Sequence, residues 1–196
     1  MFKFILLILI IKIINYYIMT DRPLCCKEAI ISVPTETKGR ISFGYGCVIH
    51  PKARIIIEGD CSVIFGEYNI IEENVTIKAK PKFNSVIGAD EMMEVYIGNY
   101  NHFKVGCYLE NTLVNDYNIF DYNCHLEDTY VDGKSIITAG TVIEKKATIK
   151  EKTIVLNNKL TKNNINFNEE EFINYIKALQ NVLANLLPKQ NKILNI

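Results

Sequence analysis

At 196 residues the chain has the length of one domain with a short appendage. Hydrophobic residues make up 48%, which excludes global disorder. Lysine plus arginine total 22 and aspartate plus glutamate total 22, a balance without the basic footprint that nucleic acid or an acidic membrane surface selects.

Residues 1–18 (MFKFILLILIIKIINYYI) are the most apolar stretch, yet the unbroken run from Phe4 to Ile11 stops at Lys12. That is well short of the ~20 residues that span a bilayer, and no small-x-small cleavage site follows it. An over-extended start, a hydrophobic leader and a membrane anchor all remain open. The polar start at Met19-Thr20-Asp21 leads us to expect translation from Met19.

From Ile31 onward, large apolar residues recur every six positions. One run holds Ile31, Phe43, Ile49 and Ile55, with Thr37 its weak member, and a second holds Phe65, Ile71 and Ile77. Ile97, Phe103 and Leu109 follow, then Val114, Phe120 and Leu126, then Val131, Ile137, Ile143, Ile149 and Val155. Small residues often follow four places later: Ala53, Val75, Cys107, Cys124, Ser135, Thr141, Ala147 and Thr153. Neither a helix period of 3.6 nor a strand period of 2 gives this interval.

The pattern predicts a parallel β-helix over 29–156, with three short strands per triangular coil and the large residues inside. Six or seven coils at ~4.8 Å would make a prism roughly 30 Å long. Gly66, Asn69, Gly98, Asn99, Asn101, Asp116 and Asn118 are the expected turn residues, as types that tolerate left-handed backbone. Residues 80–94, with Pro81 and the run Asp90 to Glu94, should bulge from a corner as a loop. The step from Leu126 to Val131 is five, so that corner should be distorted.

An Asn/Lys-rich link, 157–167, leads to a predicted helix over 168–187, followed by a tail, 188–196. Asn168 is a good N-cap and Glu169, Glu170 and Glu171 place acids in the first turn. Phe172, Ile176, Leu179, Leu183 and Leu186 share one face, which should lie along a flank of the prism or in a partner's groove. Pro188 ends the helix. The strand edges near Ile31 to Thr37 and Ile149 to Val155 would then lack a full cover. Docking on a second β-helix, and self-association of the isolated protein, are expected.

Six cysteines, Cys25, Cys26, Cys47, Cys61, Cys107 and Cys124, lack C-x-x-C spacing and read as buried free thiols of a reducing compartment. Three histidines, His50, His102 and His125, are the only imidazoles available to a metal or an acyl-transfer base. His50 follows its inward residue by one place, while His102 and His125 lie five places after theirs. Unlike phases put the rings on unlike edges. No catalytic, cofactor or metal residues are assigned, and His102, after the 80–94 loop, is the sole base candidate. No phosphate loop, G-x-S-x-G or dinucleotide fingerprint is present.

The segments VIHPKARI (48–55), NIIEE (69–73) and IGNYNHFKVGCY (97–108) resemble the coils of the dynactin subunit 6 family. The resemblance implies a left-handed winding of the β-helix, which the repeat alone does not dictate and which runs against the usual right-handed crossover. It also implies a non-catalytic scaffold role in the pointed-end subcomplex of dynactin, in the cytoplasm and on the cytoskeleton, supporting dynein-driven transport on microtubules. The implied partners are a dynactin subunit 5-like β-helix protein, an actin-related protein and a large zinc-containing subunit. The apolar leader, a short insertion around Asn123 to Asp132 and the lack of a Thr-Pro near the C-terminus depart from the family pattern. A hexapeptide-repeat enzyme, either an acyltransferase or a γ-type carbonic anhydrase, is the alternative.

Overall fold

A chain that turns every six residues returns to the same face after three steps, and the hydrogen-bonded register follows that geometry. In the computed structural model, Ile97 pairs with Val114 and Val114 with Val131, while Phe103 pairs with Phe120 and Phe120 with Ile137. Leu109 likewise pairs with Leu126 and Leu126 with Ile143, all in parallel. The structure describes residues 24–25, 29–31, 36–86, 88–156, 158–162 and 166–187. The leader 1–18, the Met19 start, Cys26, parts of the 157–167 link and the tail from Pro188 lie outside them.

The strands form three faces of a prism. Face one stacks β1 (Leu24–Cys25), β4 (Arg40–Phe43), β7 (Ser62–Phe65), β12 (Glu94–Ile97), β15 (Leu113–Val114), β18 (Tyr130–Val131) and β21 (Thr148–Ile149). Face two stacks β2 (Ile30–Ile31), β5 (Val48–Ile49), β8 (Ile70–Ile71), β13 (His102–Phe103), β16 (Ile119–Phe120), β19 (Ile136–Ile137) and β22 (Thr153–Leu156). Face three holds β3 (Glu36–Lys38), β6 (Arg54–Ile57), β9 (Thr76–Ala79), β14 (Tyr108–Glu110), β17 (His125–Glu127) and β20 (Val142–Ile143).

The large residues of the repeat are buried in one continuous core, with Phe43 stacked on Phe65 and Phe103 on Phe120. Ala53, Val75, Cys107, Cys124, Ser135, Thr141 and Thr153 are buried as expected, and Ala147 is half-buried. Cys47 is fully buried, and Cys61, Cys107 and Cys124 are buried thiols outside any disulfide. A period of six misses a second inward set: Ile41, Ile57, Val63, Ala79 and Val95. These belong to four-residue strands beside the first and third faces' shared corner, where two inward residues alternate with outward ones.

The corners differ from expectation in three ways. The left-handed positions are held by Tyr68, Tyr100 and Tyr117, with φ of 53, 55 and 64°, not by the neighbouring Asn residues. Asn69, Asn101 and Asn118 point inward as a buried ladder instead. Asn69 Oδ1 accepts from Asn101 N–H at 3.0 Å, Asn101 Oδ1 from Asn118 N–H at 2.9 Å, and Asn118 Oδ1 from Ser135 N–H at 2.9 Å. Gly66 and Gly98 lack positive φ; a Cβ on either would collide with the next coil's backbone and the Asn99 or Asp116 side chain.

The step from Leu126 to Val131 is not a lone distortion. Glu110–Thr112 makes the same shortened turn one coil earlier, with Asn111 and Asp128 both left-handed. Thr112 and Thr129 hydroxyls donate to the Glu110 and Glu127 carbonyls at 3.0 and 2.9 Å, and the two turns stack through Asp128 N–H to Glu110 O.

Insertions sit where one coil meets the next. The insertion over 80–94 leaves the stack at the corner between faces three and one, and within it β10 (Lys82–Asn84) and β11 (Ala89–Glu91) form an antiparallel hairpin. Lys82 fastens it to Asp128 at 2.7 Å. Within the expected link, β23 (Lys159–Lys162) folds back antiparallel onto β22. The face-two edge expected to be open is therefore paired by this chain's own backbone.

The helix α1 (Glu169–Leu186) is capped by Asn168, whose Oδ1 accepts from Glu171 N–H at 3.3 Å. Ile176 is its one fully buried side chain; Phe172, Leu179 and Leu183 are half-buried. Leu186, expected on the same face, is 73% exposed, while Leu187, the extended C-cap whose N–H donates to Leu183 O, is half-buried.

Candidate functional site

The outer surfaces of the three faces differ, and each difference starts from the residue just before an inward one. On face two these residues are Ile30, Val48, Ile70, His102, Ile119 and Ile136, a predominantly apolar strip that water would disfavour. α1 lies over it: Val48 and Ile70 are fully buried and His102 is 2% exposed. Beside α1, at the corner with face one, the rings of Tyr68, Tyr100 and Tyr117 stack 5.1 and 5.5 Å apart. Phe172 meets Tyr117 edge-on and Lys177 sits 5.2 Å above Tyr68. Stacking of this kind offsets the strain of bulky residues in left-handed backbone. Burial first, and then the Glu169 carboxylate, push the Tyr117 phenol up to about 12.

His102 is wedged between the prism and α1. Its Nε2 lies 2.7 Å from Glu72 Oε1 and its Nδ1 3.2 Å from the Tyr175 hydroxyl. Both ring nitrogens are engaged, so the ring offers neither a lone pair nor a path to a substrate while the helix is in place. Burial alone would raise Glu72, but hydrogen bonds from His102 and Val105 N–H outweigh it and hold the carboxyl below the usual range. His50 faces Glu73 at 3.1 Å.

Face three carries charge. His125 stacks on Tyr108 at 4.6 Å and meets Glu127 at 2.8 Å; Glu127 also takes Lys145 at 2.5 Å. Tyr108 donates to Glu110 at 2.7 Å, and Lys80 reaches the same carboxylate at 2.5 Å. The three histidines thus sit in three separate carboxylate pairs. Among the described residues no group of three or more His, Cys, Asp or Glu side chains converges to hold a metal ion.

These carboxylates give the fold an acid limit. Lys145 first, then His125, hold Glu127 down to about 2; Glu72 and Glu110 are also lowered. A carboxyl lowered by folding contributes stability that is complete above its unfolded value near ~4.3 and is lost as pH falls through the folded one. The melting temperature should therefore be flat above pH ~5 and fall between pH ~4.5 and about 2. Thermal melts across that range check this, and Glu72→Gln with Glu127→Gln should flatten the acid limb. An unchanged limb in the double variant would contradict the assignment.

On face one the outward residues are Ser42, Ile64, Tyr96, Leu113, Tyr130 and Thr148; Ser42, Ile64 and Leu113 are half-buried, and Tyr96 and Tyr130 are 45% and 37% exposed. None of this was marked in the sequence, because hexad phase tells inward from outward but not which outward face the helix takes.

Fold and faces together define a left-handed parallel β-helix of hexapeptide repeats. Solved structures share that architecture. A hexapeptide transferase family protein from Anaplasma phagocytophilum is similar over 83% of this chain and 89% of its own, with a TM-score of 0.63 and 16% identity. A UDP-N-acetylglucosamine acyltransferase from Bacteroides fragilis is similar over 82% and 71%, with a TM-score of 0.50 and 18% identity. At such identities the likeness is one of fold alone. The chain is similar in sequence to dynactin subunit 6 proteins: 41% identical over 81 residues to that of Xenopus tropicalis, 41% of this chain and 40% of the relative. The Dictyostelium discoideum protein is 33% identical over 101 residues, 47% of this chain and 53% of its own length. The matched segments thus span about half or less of these relatives. No family model matches the chain. Among the described residues no helix is long and apolar enough to cross a membrane.

Proposed function

We propose that the chain is a non-catalytic scaffold subunit of a dynactin-type pointed-end complex, in the cytoplasm and on the cytoskeleton, supporting dynein-driven transport along microtubules. The observation that carries this reading is the segment 41% identical to a dynactin subunit 6. The geometry of His102 supports the absence of catalysis: the one base candidate lies under the helix with both nitrogens engaged. Its partners in this reading are a subunit 5-like β-helix protein, an actin-related protein and the large zinc-containing subunit. The alternative, a hexapeptide acyltransferase, shares the fold, but it would require α1 to leave His102. Affinity purification of the full chain from its own cells, followed by mass spectrometry, tests the choice. Dynactin subunits are the expected company; a homotrimer holding coenzyme A or a metal would overturn the proposal.

A further inference from the structure

The ladder of corner tyrosines ends at Tyr117, beside a cavity. One face of Tyr117 stacks on Tyr100 at 5.5 Å, and the next coil places Lys134, not a ring, at the same left-handed position. A cavity of about 310 Å³ lies between α1 and face two, lined by Tyr117, Phe167, Phe172, Tyr175, Ile119 and Ile136. That is the lower end of the ~300–1,000 Å³ found for ligand sites. The centroids of Tyr117, Phe167 and Phe172 lie 5.1 to 6.2 Å apart, and the rings meet at 45 to 83°. Rings so inclined make a concave wall, not a stack, and Tyr175 extends it at 6.1 Å and 57° from Phe172. In a triangle of that size, a group standing off the wall can lie within ~6 Å of all three centroids, the reach of a cation–π contact.

Charge selects the class of occupant. Glu171 lines the cavity, and Glu169 and Glu170 precede it in the first turn of α1. Among the described residues no lysine, arginine or histidine lines it, and Lys134 is engaged by Glu151 and Glu169 at 3.2 and 3.4 Å. The helix N-terminus carries about half a positive charge, which the three carboxylates outweigh, so a cation is favoured over an anion. A bare ammonium has three donors to satisfy, and rings and isoleucines cannot replace its water. A methylated ammonium keeps the charge, gives up the donors and presents methyl groups to the rings. The mouth is open, with Asn166, Asn168 and Glu171 exposed and Tyr175 45% exposed. Free ligands are held by burying ~70–90% of their surface, which such a mouth does not allow. A side chain carried by a partner needs only its end enclosed.

We propose that this cavity receives the methylated ammonium end of a lysine side chain on a partner protein. Tyr117, Phe167 and Phe172 pack against the methyl groups and Glu171 supplies the counter-charge. Free choline shares this chemistry and is separated from the lysine by the experiment. The proposal is independent of the scaffold reading, since it concerns the purified chain and a defined probe.

Methyl NMR of the full chain labelled at the isoleucine δ1 positions reads the site, because Ile119 and Ile136 line it while Ile55 lies in the core. Acetyl-trimethyllysine amide should shift the Ile119 and Ile136 methyls saturably at ~millimolar concentration and leave Ile55 unmoved. The unmethylated lysine derivative and the neutral tert-butyl isostere, with carbon in place of nitrogen, should bind at least ~10-fold more weakly. Choline should bind no more tightly than the trimethyllysine probe. Phe167→Leu and Glu171→Gln, each checked for folding by circular dichroism, should weaken binding at least ~3-fold, while Phe83→Leu on the hairpin leaves it unchanged. Absence of saturable shifts, equal binding of the neutral isostere or of plain lysine, or indifference to both variants would overturn the proposal. Choline binding ~10-fold more tightly than the trimethyllysine probe would overturn the partner protein as the source.

Discussion

Phe120→Ala should cost about 3–5 kcal/mol of stability, the largest single loss expected in the prism. Phe120 is fully buried on face two, its ring 4.7 Å from Phe103 and nearly parallel to it. Its register neighbours are Phe103 on one side and Ile137 on the other. The hole cannot collapse, because each coil is pinned at ladder spacing by parallel hydrogen bonds and by the asparagine ladder through Asn101 and Asn118. Domains commonly hold only ~5–15 kcal/mol in all, so the variant should lose a large part of its stability. Because coils touch only their neighbours, the loss should also broaden the transition into two. Urea unfolding followed by circular dichroism reads both effects. Tyr122→Ala, on an exposed side chain, should stay within about 0.5 kcal/mol of the parent. A Phe120→Ala midpoint equal to the parent's would contradict the stacked core.

Ile176→Asp should release α1 from face two. Ile176 is the only helix side chain that is fully buried, while Phe172, Leu179 and Leu183 are half-covered. Removing it forfeits about 2–5 kcal/mol of apolar contact, and docking would then require burial of a carboxylate. What remains is partial: the edge of Phe172 on Tyr117, Lys177 over Tyr68, and single polar links from Tyr175 to His102 and from Lys134 to Glu169 at 3.2 and 3.4 Å. Release would bare Val48 and Ile70, so rapid proteolysis within 157–187 and aggregation are expected together. Val182→Asp, at a position 53% exposed, should do neither. Timed proteolysis with mass spectrometry separates the two variants, and equal resistance would show that the helix is held elsewhere. The outcome also bears on enzyme chemistry, since the same release would uncover His102.

The core was legible because the solenoid repeats one rule: Phe103, Phe120 and Ile137 are inward because each lies a whole number of coils from the last. The rest depends on what lies one coil away. Tyr68, Tyr100 and Tyr117 hold left-handed corners and stack ring on ring from coil to coil, a contact no local propensity contains. Asn69, Asn101 and Asn118 have turn-forming composition, yet they serve the neighbouring coil's backbone from inside. Ile57 and Val63 fall outside the six-residue count because β6 and β7 run four residues and each turns two side chains inward. The histidine phases separated His50 from the other two, but the burial of His102 was not legible. It depends on where α1 lies, and α1 could equally have been read as a partner's ligand. Leu186 departs from the expected face at the helix end, where the chain turns extended at Leu187.

The central claim is that this β-helix acts by assembly. Purification of the endogenous full chain under native conditions, with the mass and composition of the particle measured, tests it most directly. The account predicts a large particle with the chain equimolar to a subunit 5-like β-helix and an actin-related protein, and with no coenzyme A. Recovery as a free chain or as a homotrimer carrying an acyl donor or a metal, with no dynactin subunit in stoichiometric amount, would contradict it.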